Sequence, residues 1–306
     1  MITKRTYKNE TWVDIDHGTP EEILSIMDTY AIHPMVARDL TSATPKSRIE
    51  FHNGYIYCIL HFPVYKHSHS DTEQKEQEVD FVIGKNVLVT ARYDTIDALD
   101  KFGKIIEVKE ILEKKNSTES EMAMFTGMIR ELYGSIFEEL EYIEDVTDGI
   151  TAKIFKGKEK EMVVSISEMM RVLIDFKKTT DFHKEILEMI YHRGGEMFGD
   201  SFAKDMRLII LDYLKINTTI HNNLETLREL RDTNNSLLTS KQNETVKQLT
   251  VLNAIVLPLD LIAFIFAMRT NGMPLIDNPN AFWIVITLMC TITLITLTFI
   301  KHKKWL

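Results

Sequence analysis

The chain has 306 residues, 44% of them hydrophobic and 26% charged, with a formal net charge of −9. These averages exclude a disordered chain, a collagen-like chain and a disulfide scaffold. Residues 248–306 carry only four basic and two acidic residues, which leaves 32 basic and 43 acidic, a net of −11, in residues 1–247; an acidic body argues against nucleic acid as a partner and is compatible with cations.

The chain begins MITKRTYKNETWVDID, which has no apolar run, so no cleaved signal peptide is expected. Over 19–40 apolar residues recur at helical spacing, and Thr19-Pro20-Glu21-Glu22 is a helix start: a hydroxyl cap, Pro at the first position and acids in the first turn. GYIYCILHFPVY (54–65) reads as a strand, HSHSDTEQKEQE (67–78) as a polar hairpin loop, and VDFVIGKNVLVTAR (79–92) as two strands around Gly84-Lys85-Asn86. A helical stretch follows near 94–114, so residues 1–116 are expected to form an α/β domain. His67 and His69 make a His-x-His pair in the polar loop, with no third ligand nearby to complete a metal site.

Residues 117–200 are expected to form a helical hairpin, with a break near Gly149 or Gly157 and a hinge or turn at HRGGEMFGD (192–200). Its first helix carries Glu138, Glu139, Glu141, Glu144, Asp145 and Asp148, read as a solvated face, with cation sensing as the lesser option. From Ser201 to Met268 proline occurs only at Pro258. A continuous helix of that length would reach about 100 Å, which predicts a stalk (201–248) running into a membrane and needing partners along its length.

Residues 249–268 and 281–300 each supply the ~20 apolar residues that span a bilayer core. They are joined by a turn-rich stretch within 269–280, giving a transmembrane hairpin. The flank 301–306, KHKKWL, has three lysines, and positive-inside logic puts both ends of the chain in the cytoplasm. Two helices cannot enclose a water-filled path, so a pore would need several chains. The thiols Cys58 and Cys290 are far apart in sequence and read as buried and reduced.

A 3.5-residue step, the period of a bundled helix, runs through Asn243, Val246, Thr250, Asn253, Leu257, Asp260, Phe264 and Ala267. Asn253 and Asp260 therefore face the same way, about 10 Å apart along the axis. A carboxylate inside a membrane costs roughly 2.5–3.5 kcal/mol, so Asp260 is expected to face a wet interior or a partner. Two readings stand: a structural Asp hydrogen-bonded between helices, or a ring of carboxylates around a cation path. Pro258 also leaves the carbonyl of Ala254 without its helical partner.

YAIHPMVARDL (30–40), TPKSRIEFHNGYIYCIL (44–60), GKNVLVTAR (84–92), SKQNETVKQLT (240–250), LPLDLIAFIF (257–266), Met273-Pro274 and the basic end together resemble the CorA family of divalent cation transporters over nearly the whole chain. The resemblance implies a homopentameric funnel of cytoplasmic α/β domains, a long stalk helix that lines the pore and an outer second membrane helix. It places Asn243, Val246, Leu249, Leu257 and Asp260 on pore-lining positions, and the stripe adds Asn253. It implies Mg²⁺ as the first candidate cargo and possible regulator, with Co²⁺, Ni²⁺ or Zn²⁺ as alternatives, no organic cofactor, a cell-membrane location and no enzymatic activity. The family's Gly-Met-Asn at the external mouth is Ala267-Met268-Arg269 here. Five arginines around one axis would repel a divalent cation unless they splay outward or pair with Asp277. Asp260 replaces the family's Thr as a possible metal contact, through water because Mg²⁺ sheds its shell reluctantly. Leu249 or Leu257 could form a hydrophobic gate. The family's acidic interface sensing positions do not align cleanly here, and Asp205 and Asp212 are no more than candidates for them. The contrasting expectation is a CorA-like sensor or scaffold that does not conduct.

Overall fold

The computed structural model describes residues 1–64, 76–112, 122–268 and 279–303. The chain divides into two compact units, Met1–Arg231 and Asp232–Leu306. The division falls inside the segment expected as the stalk.

The first unit is built on a six-stranded sheet ordered β1-β2-β6-β5-β4-β3. Its strands are β1 (Ile2–Tyr7), β2 (Glu10–Asp16), β3 (Arg48–His52), β4 (Tyr55–Pro63), β5 (Glu76–Gly84) and β6 (Val87–Arg92). β2 and β6 pair parallel and every other pair is antiparallel. β4 is buried at every position, because both faces of the sheet are covered. On one face Tyr55, Tyr57 and Ile59 pack with Ile23 and Ile26 of α1 (Pro20–Tyr30) and Val36 of α2 (Pro34–Asp39). On the other, Phe62 and Phe81 meet Tyr133 and Phe125 of a helical layer.

α1 starts as its sequence predicts. The Thr19 hydroxyl accepts the Glu22 amide (3.3 Å) and the Thr19 amide donates to the Glu22 carboxylate (3.0 Å). The stretch 19–40 is nonetheless two helices, because Pro34 drives His33 into extended backbone (φ −61°, ψ 139°). The expected hairpin loop at 67–78 is cut short, since Glu76–Glu78 already belong to β5 and pair with β4; His67 and His69 lie outside the described residues.

The helical layer holds α3 (Asp97–Leu112), α4 (Ala123–Phe155), α5 (Glu159–Thr180), α6 (His183–Phe198) and the first part of α7 (Asp200–Ala267). The break falls at Gly157 (φ +89°), and Gly149 lies within α4. A second break at Asp181–Phe182 separates α5 from α6 and brings His183 into the interior. The glycines of 192–200 mostly do not form a hinge. Gly194 and Gly195 are helical, and a Cβ on Gly194 would sit 2.4 Å from the Phe202 ring, so glycine there permits close packing of α6 on α7. Only Gly199 (φ +93°) turns the chain. α7 then runs unbroken for 68 residues, with Pro258 inside it.

The second unit contains the end of α7 and α8 (Ala281–His302), both long and apolar enough to cross a membrane. No residue in the most apolar stretch of α7 is buried within the chain. Cys58 is buried in β4, whereas Cys290 is exposed on α8; the expected burial of the second thiol is not supplied by its own chain.

Candidate ion path

Asn243, Val246, Leu249, Thr250, Asn253, Leu257, Asp260 and Ala267 all lie on α7, and all are exposed. Leu257 is 65% and Phe264 69% exposed. The half-covered positions of the apolar part of α7 are Val251, Ala254, Ile255, Pro258, Leu259, Ile262 and Phe266. At about 100° per residue these centre roughly 170° from the centre of the stripe Thr250, Asn253, Leu257, Asp260, Phe264 and Ala267. α8 shows a matching one-sided pattern: Ala281, Val285, Met289, Ile292, Thr293 and Thr296 are half-covered and Ile300 is buried. The stripe is thus the face of α7 that its own chain leaves bare.

This geometry corrects one expectation. Ala254 and Pro258 lie on the covered side, so the carbonyl freed by the proline does not add to the polar stripe. Thr250 turns its hydroxyl proton onto the Val246 carbonyl (2.8 Å) and is left with acceptor lone pairs. At the expected mouth, Ala267 is the last helical residue and the Met268 amide bonds back to the carbonyls of Phe264 and Ile265. Arg269, Asp277 and Met273-Pro274 lie outside the described residues.

The first unit brings together polar residues that sequence spacing did not join. The ring of His61 touches Ser47 Oγ (2.9 Å), the Thr44 carbonyl (2.9 Å) and Glu78 (3.3 Å). Burial opposes its charged form, but Glu78 and Thr44 outweigh burial and raise its pKa. Burial likewise opposes ionisation of Glu78, yet its bonds to His61, Asp80 and Thr44 hold it below the usual range. Asp80 is fully buried, and burial together with Glu78 lifts it well above that range, so it is held neutral while Tyr57 donates to it (2.9 Å). On the helical side, buried His183 contacts Tyr133 OH (3.0 Å) and the His61 carbonyl (2.8 Å), and burial pushes it down to about 4. These groups pin the 41–47 loop and α6 to the sheet. The signal for them in the sequence was faint: polar residues at inward-facing positions of apolar strands.

The acidic residues of α4 mostly behave as read. Glu138, Glu141, Glu144, Asp145 and Asp148 are exposed, but Glu139 turns inward. Asp212 lies 3.7 Å from Arg130, and Asp205 is partly exposed. Among the described residues no group of three or more His, Cys, Asp or Glu is placed to hold a metal ion.

Residues 8–302 match the family described as CorA-like Mg2+ transporter protein. The chain belongs to that family. The cobalt/magnesium transport protein CorA of Thermotoga maritima is 25% identical over 310 residues, covering 100% of this chain and 86% of the relative. The protein of the same name from Methanocaldococcus jannaschii is 21% identical, covering 96% and 91%. The solved structure of the CorA magnesium transporter from Methanocaldococcus jannaschii superposes with a TM-score of 0.83 at 20% identity, covering 99% of this chain and 94% of that one. An α/β domain, a long helix and a C-terminal apolar helix pair are thus the fold of a CorA-like membrane transporter, and the chain is not read as an enzyme.

Proposed function

We propose that copies of this chain assemble, as a homopentamer, around the bare stripe of α7 and pass divalent cations along it across the cell membrane. The observation that carries this reading is the placement of Asn253 and Asp260 on the face of α7 opposite the covered one. In a bilayer a carboxylate on that face needs water or a partner, and a ring of copies supplies both. Asp260 has no hydrogen-bond partner within its own chain among the described residues.

Each residue then has a role. The Asp260 ring attracts a hydrated cation and binds it through water, and Asn253 and Asn243 accept from or donate to that shell. Leu257, Leu249 and Val246 narrow the path with apolar side chains that gate by dewetting. Mg²⁺ suits this oxygen-only lining better than Zn²⁺, which favours His or Cys. Relatives named as cobalt/magnesium transport proteins support the same class of cargo. Ala267-Met268-Arg269 changes the entrance: the Arg charge slows entry of divalent cations. Both chain termini face the cytoplasm, set by the basic end.

The test is metal flux into liposomes holding the purified oligomer, with Mg²⁺, Co²⁺, Ni²⁺ and Zn²⁺ in parallel. Asp260→Ala is expected to lower flux about tenfold or more, and Arg269→Asn to raise it. Unchanged flux in correctly assembled Asp260→Ala overturns the carboxylate ring. No flux of any ion from the intact oligomer favours a non-conducting sensor or scaffold.

A further inference from the structure

A second feature lies in the first unit and does not depend on the ion path. The start of α3, the end of β4 and one face of α4 enclose a surface cavity of about 380 Å³. Its walls are largely apolar, with Phe62, Pro63, Ile96 and Leu132. Glu139 of α4 lines it, and its Oε2 atom is buried with no hydrogen-bond partner. A carboxylate oxygen in that position is well placed only when the group is neutral, because an ionised oxygen without water or a donor bears the full desolvation penalty.

The charged groups facing Glu139 add to this. From α4 come the neighbouring Glu138 and the phenol of Tyr142, and from the start of α3 comes Asp97, all lining the same cavity. Lys101 of α3 is engaged elsewhere, with Glu131 at 2.6 Å and Glu138 at 3.7 Å. β5 contributes Gln77, whose amide already donates to the Thr95 carbonyl (2.8 Å), and β4 contributes no charge. Among the described residues lining the cavity there is no Lys, Arg or His.

We propose that Glu139 is a proton-operated switch: protonated, it lies in the wall of the cavity; ionised, it swings out to water and opens the space between α4 and the start of α3. Burial, followed by the charge of Glu138, pushes its carboxyl up to about 7, so the switch turns over at neutral pH. A half-exposed residue needs only a rotamer change to reach solvent, so the motion requires no unfolding. Loss of the side chain from the wall then leaves Phe62 and Ile96 open to water. The device reports cytoplasmic acidification in the soluble part of the chain.

The experiment uses the full-length protein in detergent, titrated from about pH 5.5 to about pH 8.5, a range that brackets the turnover. Infrared difference spectra follow the C=O stretch of protonated carboxyls, and amide exchange, corrected for intrinsic rates, follows residues 62, 64 and 96–98. The wild type is expected to lose one protonated-carboxyl signal near pH 7, with exchange at those residues rising severalfold over the same interval. Glu139→Gln should lack both changes and Glu144→Gln should keep both. Glu138→Gln, which removes the neighbouring charge, should lower the midpoint and so tests the switch even if Glu139→Gln folds poorly. A signal already absent at pH 5.5, or one that survives in Glu139→Gln, overturns the assignment. A titration without the exchange change overturns the motion.

Discussion

In the first unit Phe81, Phe125 and Phe202 are fully shielded from solvent, whereas in the second Leu257, Phe264, Phe282 and Leu294 are 65–69% exposed. The same residue types meet opposite fates on one chain. The sheet and its two helical covers bury a core of large apolar side chains in the first unit, although Met35, Ile111 and Phe155 remain 69–82% exposed there. α7 and α8 cover only one side of each other's apolar surface. The first unit thus has a core of its own, while the apolar faces that α7 and α8 leave bare in the second are too extensive for water and suit the hydrocarbon of a membrane. Polar groups follow the same division. Those of the first unit are paired inward, such as His183 with Tyr133, and the conspicuous polar groups of the second, Asn253 and Asp260, point outward.

The sharpest way to break this comparison is to truncate one aromatic ring on each side. Phe125 packs against Phe81 (5.6 Å) and Phe202 (6.3 Å). Phe125→Ala should destabilise the first unit by about 3–5 kcal/mol, by lost transfer energy and the cavity left behind. Phe264→Ala should change thermal unfolding in detergent by less than about 0.5 kcal/mol. Equal losses would mean that Phe264, which its own chain leaves 69% exposed, is covered by a neighbouring copy.

A second prediction uses pH. His183 is buried neutral, with its pKa pushed down to about 4 from an ordinary 6.5. The unfolded chain takes up this proton at higher pH than the folded one, so stability is full above pH 6.5 and falls as pH drops toward 4. The loss approaches about 3 kcal/mol at the acid end. His183→Gln, which keeps a donor and an acceptor, should lack this component, so the gap between the two unfolding profiles should close with acidification. A gap that is independent of pH would mean that His183 is not held neutral.

Next in size are the two buried acids of β5. Asp80 is held neutral and Glu78 ionised, so amide replacements should separate them. Asp80→Asn should cost under about 1 kcal/mol, since Asn also accepts from Tyr57. Glu78→Gln removes the charged acceptor of the Thr44 amide and the partner of His61, and should cost about 1–3 kcal/mol. Chemical denaturation at neutral pH reads both. The reverse order would show that the shared proton sits on Glu78.

What the sequence disclosed follows the range of the interactions involved. The apolar runs, the unbroken 68-residue helix and the α1 cap are local patterns, and each lies where it was read. The 3.5-residue stripe was also legible, because a helix converts spacing directly into a face. Tertiary facts were not. The His61–Glu78 pair joins residues 17 positions apart through strand register, and the break at Asp181–Phe182 has no glycine or proline to announce it. Gly194 looked like a hinge because glycine permits turning, but the close approach of Phe202 explains it instead. Glu139 flanks the apolar stripe of Ile136, Leu140 and Ile143 on α4, a spacing that reading the acidic run as one solvated face passes over.

The smallest effect tests the most local reading. Thr19 and Glu22 exchange two hydrogen bonds at the start of α1, and Ile23 and Ile26 of that helix pack into the core against the sheet. Thr19→Ala leaves the Glu22 amide without its acceptor and frees the Glu22 side chain, which should cost about 1 kcal/mol. Thr19→Ser keeps the hydroxyl and should recover most of that loss. Both effects should appear in unfolding of the first unit and leave ion flux unchanged, because α1 carries none of the residues of the α7 stripe. A cap mutation that altered flux instead would show that the two parts are more tightly linked than their separate packing implies.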